Sequence, residues 1–174
     1  IAGLVGNASG PDMILAEGSM GLFDGVANPG ACGNGASADI AARMGWPLQD
    51  VTTLSLHGRP IELVLPHLHP GRKILALTSD ETEPARISGL LTGAGFGRSA
   101  VTVLDALGGP HEKVRTTLAQ SFDIENISPL NVLAIDILAD ENARIVPLTP
   151  GLPDDWFGHD GQITKREIRA LTLS

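Results

Sequence analysis

Apolar positions change their spacing several times between residues 36 and 138, and each change marks an element. Ala38, Ile40, Ala41 and Ala42 fit a short helix. Gly45 and Pro47 stop it, because proline disfavours helical backbone at the residue before it. Residues 51–56 alternate as a strand, and residues 60–67 open on a proline as a short helix does. KILAL at 73–77 predicts a buried strand. Polar SDETEP follows, and then a helix whose Ile87, Leu90, Leu91 and Ala94 share one face, closed by Gly93, Gly95 and Gly97. Residues 101–104 predict another strand, Gly108-Gly109-Pro110 a turn into a helix with Val114 and Leu118 inward, and residues 131–138 the most apolar strand. The order strand, helix, strand, helix, strand is that of an open α/β sheet.

Outside this region the pattern is weaker. The first 35 residues are rich in glycine and lack periodicity, with core candidates only at 13–16 and 22–23, so they read as an incomplete or remnant part of a domain. Near the other end, Thr164 and Glu167 have the spacing of a capping box, and Ile168 and Leu171 supply an apolar face behind it. Both ends therefore read as cuts, the second through the first helix of something that continues.

Composition narrows the partners. Twelve Lys and Arg stand against 20 Asp and Glu, a net charge of −8, which disfavours nucleic-acid phosphates as the main partner while leaving room for a local basic pocket. Apolar runs such as 74–77 and 132–135 are four residues long, against the ~18 that cross a bilayer, so no membrane span is expected. The single Cys32 forms no intrachain disulfide, and no Cys/His cluster has zinc-ligand spacing, which favours a reducing compartment, the cytoplasm.

Candidate chemistry is sparse. The turn LDALGGPHE at 104–112 follows a strand, and its glycines would let backbone approach a ligand beyond the strand's carboxyl end; its spacing is neither G-x-G-x-x-G nor a Walker loop, so the residues alone favour a tight Gly-Gly-Pro connection. His67 and His69 lack a third ligand, so no metal is assigned. Glu81 and Glu83 fit charges at a helix start better than an acid/base pair. Arg59 in LHGRP has the bidentate fork that suits a ligand carboxylate, and is also consistent with an ordinary surface arginine. No G-x-S-x-G elbow supports hydrolysis.

Four segments taken together resemble one family. AARMGWPLQDVTTLSLHGRP (41–60), ALTSDETEPARISGLL (76–91), LDALGGPHEKV (104–114) and SPLNVLAID (128–136) are similar to the E-type (CbiE-type) precorrin methyltransferases of the tetrapyrrole methylase superfamily. GLPDDWFGHDGQITKREIRALTLS (151–174) resembles the start of a T-type (CbiT-type) module. The resemblance implies a tetrapyrrole methylase-like two-domain α/β fold. Residues 1–45 would be a partial first domain, 46–150 the second α/β domain, and 151–174 the linker and first helix before a T-type module. It also implies S-adenosylmethionine (SAM) bound between domains, a precorrin substrate methylated at ring carbons 5 and 15 with decarboxylation in the two-module enzyme, no metal, and a homo-oligomer.

Carried over position by position, the resemblance implies cofactor contacts at Leu77 and Thr78, at Asp105, Ala106 and Leu107, and at Pro129, Leu130 and Asn131. The family's first-domain G-D-P loop has its nearest counterpart in LAEGSMGLFDGV (15–26), which lacks the Asp-Pro, so only Gly18 is taken from it. Arg43 and Arg59 are the candidates for the carboxylates of the substrate, and no catalytic residue is assigned. Methyl transfer from a sulfonium is an in-line displacement, helped by orientation and exclusion of water more than by a nucleophile or strong base. The alternative expectation is a non-catalytic interaction or oligomerisation domain of the same fold that has lost SAM binding.

Overall fold

The computed structural model describes residues 37–172. Helix α1 (Ser37–Arg43) precedes strand β1 (Val51–Ser55), and a 3-10 segment, Ile61–His67, leads to β2 (Lys73–Leu77). Helix α2 (Glu83–Gly93), β3 (Ala100–Asp105), β4 (Lys113–Leu118), β5 (Asn131–Asp136) and α3 (Arg166–Thr172) follow. The five strands form one sheet in the order β1-β2-β5-β3-β4. β1 and β2 run parallel, whereas β5 is antiparallel to both β2 and β3, and β4 is antiparallel to β3.

Alternation sends successive residues of the central strands to opposite faces. One face carries Ile74, Ala76, Val101, Val103, Leu133 and Ile135, and it is closed by Ile87 and Leu91 of α2, by Ile61 and Val64, and by Phe96. The other carries Leu75, Leu104, Val132 and Ala134, covered by Ile40 of α1 and by Leu107. A central strand buried on both faces must be apolar throughout, which is why KILAL and NVLAI contain runs rather than alternation. Helix α2 starts where the Asp80 carboxylate accepts the amides of Thr82 at 2.7 Å and Glu83 at 3.0 Å, with Pro84 in its first turn.

Two expectations are corrected. The segment after Gly108-Gly109-Pro110 is a strand, β4, and Val114 and Leu118 are 49% and 41% exposed rather than core. A spacing of four fits one helix face, but four is also even, so it fits one face of a strand equally well. Thr116 decides the matter by pairing its hydroxyl with that of Thr102 across the ladder at 2.8 Å. The sheet is mixed: β1, β2 and β3 run one way and β4 and β5 the other, so that β1–β2 is the one parallel pair of neighbours among the described strands. Near the C-terminus, the carbonyl of Lys165 accepts from Ile168 and Arg169, so Lys165 rather than Thr164 stands at the cap of α3.

Segment 151–172 is organised around the charge of Arg169, which is only 9% exposed. Its guanidinium donates to the Thr164 carbonyl, to the Leu152 carbonyl at 2.8 Å and to the Asp154 carboxylate at 2.5 Å, and lies 4.8 Å from the centre of the Phe157 ring. Ile168, by contrast, is 52% exposed. Replacing Arg169 with Ala is expected to open this segment and leave the sheet intact. Hydrogen bonds to a charged group contribute about 1.5–3 kcal/mol each, so tryptic cleavage at Lys165 and Arg166 should accelerate about tenfold or more. Unchanged cleavage kinetics would show that Arg169 does not hold the segment.

Candidate functional site

Because β5 runs antiparallel between β2 and β3, its first two residues meet the last residues of both neighbours. Leu77 lies opposite Val132, and Asp105 lies opposite Asn131. Three separate predicted segments, 77–78, 105–107 and 129–131, are thereby brought to one end of the sheet. Long bonds extend the ladder there: Thr78 N reaches the Asn131 carbonyl at 3.5 Å and Ala106 N the Leu130 carbonyl at 3.4 Å.

The polar side chains at this end are buried and partnered. Thr78, Asp105 and Asn131 are each 1% exposed. The Asn131 amide oxygen accepts from the Thr78 hydroxyl at 2.6 Å, and its nitrogen donates to the carbonyls of Asp80 at 3.1 Å and Ser128 at 2.9 Å. The carboxylate of Asp105 accepts the Ser128 amide at 2.8 Å and Arg115 at 2.5 Å. Buried polar groups need such partners. Here they join the ends of β2 and β3 to the segment that enters β5.

The remaining predicted positions divide by exposure. Leu107 is 7% exposed and packs with Ile40, so its side chain belongs to the core on the α1 face. Pro129 and Leu130 are exposed. Ala106 has φ +46°, a left-handed conformation uncommon outside glycine and typical of sites where backbone is held for a purpose. Gly18 and the 15–26 stretch lie outside the described residues.

The two arginines differ. Arg43, at the end of α1, donates to Glu112, whose carboxylate also accepts the Gly108 amide at 2.8 Å; this ties α1 to the turn after β3. Arg59 is exposed, on a loop fastened to the end of β2 by Gly58 N donating to the Ser79 hydroxyl at 2.9 Å. Burial pushes the Glu112 carboxyl upward, but donation from Arg43 and Gly108 outweighs it and holds it below the ordinary value. A carboxyl depressed in the folded state stabilises fully above its unfolded pKa, and that stability is lost as pH falls through the folded value. Acidification below the usual glutamate range, about 4.3, should therefore release this contact. Loss of α1 protection in hydrogen exchange should follow at that pH, and in Glu112→Gln the pH dependence should disappear.

His67 and His69 share a turn, with burial, Arg72 and His69 all lowering the pKa of His67. No group of three or more His, Cys, Asp or Glu suited to a metal occurs among the described residues. None of their helices is long and apolar enough to cross a membrane. Arg115, Ser128 and Asp80 take part in the polar cluster and were missed from sequence. Arg115 could not be found while β4 was read as a helix.

No family model matches the chain. Over 134 residues, 77% of its length, it is 58% identical to the "Precorrin-6Y C(5,15)-methyltransferase [decarboxylating]" of Sinorhizobium sp, covering 32% of that protein. It is 38% identical over 138 residues, 76% of its length, to the protein of the same description from Mycobacterium tuberculosis (strain ATCC 25618 / H37Rv), covering 33% of it. Among solved structures it is similar to the cobalamin biosynthesis precorrin-6Y methylase (cbiE) of Archaeoglobus fulgidus, at 21% identity and a TM-score of 0.41, covering 57% of this chain and 44% of that one. The chain spans about a third of the length of the curated relatives it matches. It is homologous to part of a precorrin methyltransferase. The relatives that establish this are, in particular, decarboxylating precorrin-6Y C(5,15)-methyltransferases.

Proposed function

We propose that this chain is the E-type portion of a SAM-dependent enzyme that methylates a precorrin in cobalamin biosynthesis. In the two-module protein the methylations are at ring carbons 5 and 15, with decarboxylation. The observation that carries the proposal is the 58% identity over 134 residues to the Sinorhizobium protein. Residues 1–45 belong to the first domain, 46–150 form the second, and 151–174 lead into a T-type module. The protein is cytoplasmic and assembles as a homo-oligomer.

SAM supplies the methyl group on a sulfonium centre, and the chain's task is to hold it and exclude water. The residues at the sheet end fit that task. With the side chains of Thr78 and Asn131 bonded to each other and that of Asp105 to Ser128 and Arg115, backbone groups at 77–78, 105–107 and 129–131 meet the cofactor, with Leu77 and Leu130 as apolar walls. The left-handed Ala106 turns the backbone at this point. Arg43 and Arg59 are assigned to the carboxylates of the precorrin; Arg43 reaches one by exchanging it for Glu112.

Titration calorimetry with S-adenosylhomocysteine, the demethylated product, tests this. Micromolar binding, about −8 kcal/mol, is expected for a form that includes the first domain. Binding by that form and not by this chain places the missing affinity in the first domain. Binding by neither overturns the methyltransferase reading and leaves the non-catalytic interaction domain in its place.

A further inference from the structure

Arg115 sits in the middle of the edge strand β4, opposite Val103, and its side chain runs along the sheet to the end of β3. There the guanidinium donates to the carboxylate of Asp105 and to the carbonyl of Glu125, both at 2.5 Å, and lies 3.5 Å from the carbonyl of Asn126. The second carboxylate oxygen of Asp105 takes the Ser128 amide at 2.8 Å. The contacts close a ring from β4 through Asp105 to Ser128 and back through 125–127. Asn126, inside that ring, has a left-handed φ of +52°, which an asparagine side chain tolerates in a turn. Two of the three ligand-facing segments hang on this one pair: Ala106 directly follows Asp105, and Pro129-Leu130 directly follows Ser128.

We propose that Arg115 is a positioning residue, setting segment 125–130 and Ala106 at the geometry that receives the adenosyl ligand. The role rests on the methyltransferase reading above. Arg115 acts through Asp105 and the 125–126 carbonyls rather than on the ligand. The residue type matters as well as the charge, since one planar fork serves a carboxylate and a carbonyl together, and a lysine ammonium does not hold both in fixed directions. The Asp105 side chain is 1% exposed and that of Arg115 31%, so the pair keeps a buried carboxylate neutralised while its cation stays partly in water.

The test compares the wild-type chain with Arg115→Lys and Arg115→Ala, in a form that carries the first domain, by two readouts. Amide exchange without ligand should speed up at Ser128 by about tenfold or more in Arg115→Ala, the worth of one lost hydrogen bond, while Ile74 and Leu133 keep their protection. Calorimetry should show S-adenosylhomocysteine binding about tenfold weaker in Arg115→Ala, with partial recovery in Arg115→Lys. If Arg115→Ala fails to fold, Arg115→Lys carries the comparison, with weaker binding and faster Ser128 exchange expected than in the wild type. Equal binding by wild type and variant overturns the positioning role alone, as does loss of protection spread evenly over all strands. Absence of binding by the wild type overturns the cofactor reading itself, and the role with it.

Discussion

Replacing Gly95 with Ala is expected to destabilise the protein by about 3 kcal/mol or more, since among the described glycines an added Cβ meets its closest contact here. Gly95 ends helix α2 with φ +85°. Its amide bonds to the Thr92 carbonyl at 3.1 Å, and that of Phe96 to the Leu91 carbonyl at 2.8 Å, the paired bonds of a Schellman termination. An L side chain in this conformation costs about 1–2 kcal/mol. Space adds to the cost: a Cβ at Gly95 would stand 2.6 Å from Ala143 Cα and 3.1 Å from Ala143 N. Both are backbone atoms, so no rotamer change relieves the contact. Segment 140–144 would have to move, endangering the bonds from Asp140 N to the Gly95 carbonyl and from Arg144 N to the Ala94 carbonyl, both 2.9 Å and about 1 kcal/mol each. Gly89→Ala, in the same helix with nothing within 4 Å of the added carbon, provides the control and should stabilise by about 0.5–1 kcal/mol. Urea unfolding of both variants checks the pair. A loss below about 1 kcal/mol at Gly95 would mean that segment 140–144 yields freely.

That contrast shows what the sequence could and could not say. Gly93, Gly95 and Gly97 read alike as a helix stop, yet Gly93 has open space, Gly97 abuts the Gln120 side chain, and only Gly95 of the three needs a left-handed backbone against another backbone. The elements whose signal is local were legible: α2 from the 3.6-residue period of Ile87 and Leu91, β2 and β5 from apolar runs buried on both faces. β4 was misread because the spacing of Val114 and Leu118 serves a helix and a strand alike, and its exposed edge position removes the burial that would have distinguished them. The candidate site shows the same division. Its positions were reached through resemblance, and the sheet brings them to one end. The partners that hold them there, Arg115 and Ser128, are set by pairings across 10 and 23 residues, which no local pattern encodes.

Asn131→Ala is expected to cost about 2–4 kcal/mol and to weaken any ligand held by the sheet end. Three hydrogen bonds converge on this side chain, from the Thr78 hydroxyl and to the Asp80 and Ser128 carbonyls, and the residue is 1% exposed. Net bonds of this kind contribute about 1 kcal/mol each, and a buried group left without its partner costs about 1–3 kcal/mol. The hydroxyl of Thr78 keeps one alternative, the Asn131 carbonyl at 3.1 Å, so the penalty falls mainly on the two backbone carbonyls. A cycle with Thr78→Val separates the terms. Because the two side chains are in direct contact, the double variant should fall short of the sum of the single losses by about 0.5–1.5 kcal/mol. Additive losses would show that Asn131 acts through the loop carbonyls alone. Its strand position also predicts where the damage spreads: the amides of 78–80 and those of Ser128 and Leu130 should lose protection before those at Leu75 or Ala134, because only the former lie beyond the regular ladder.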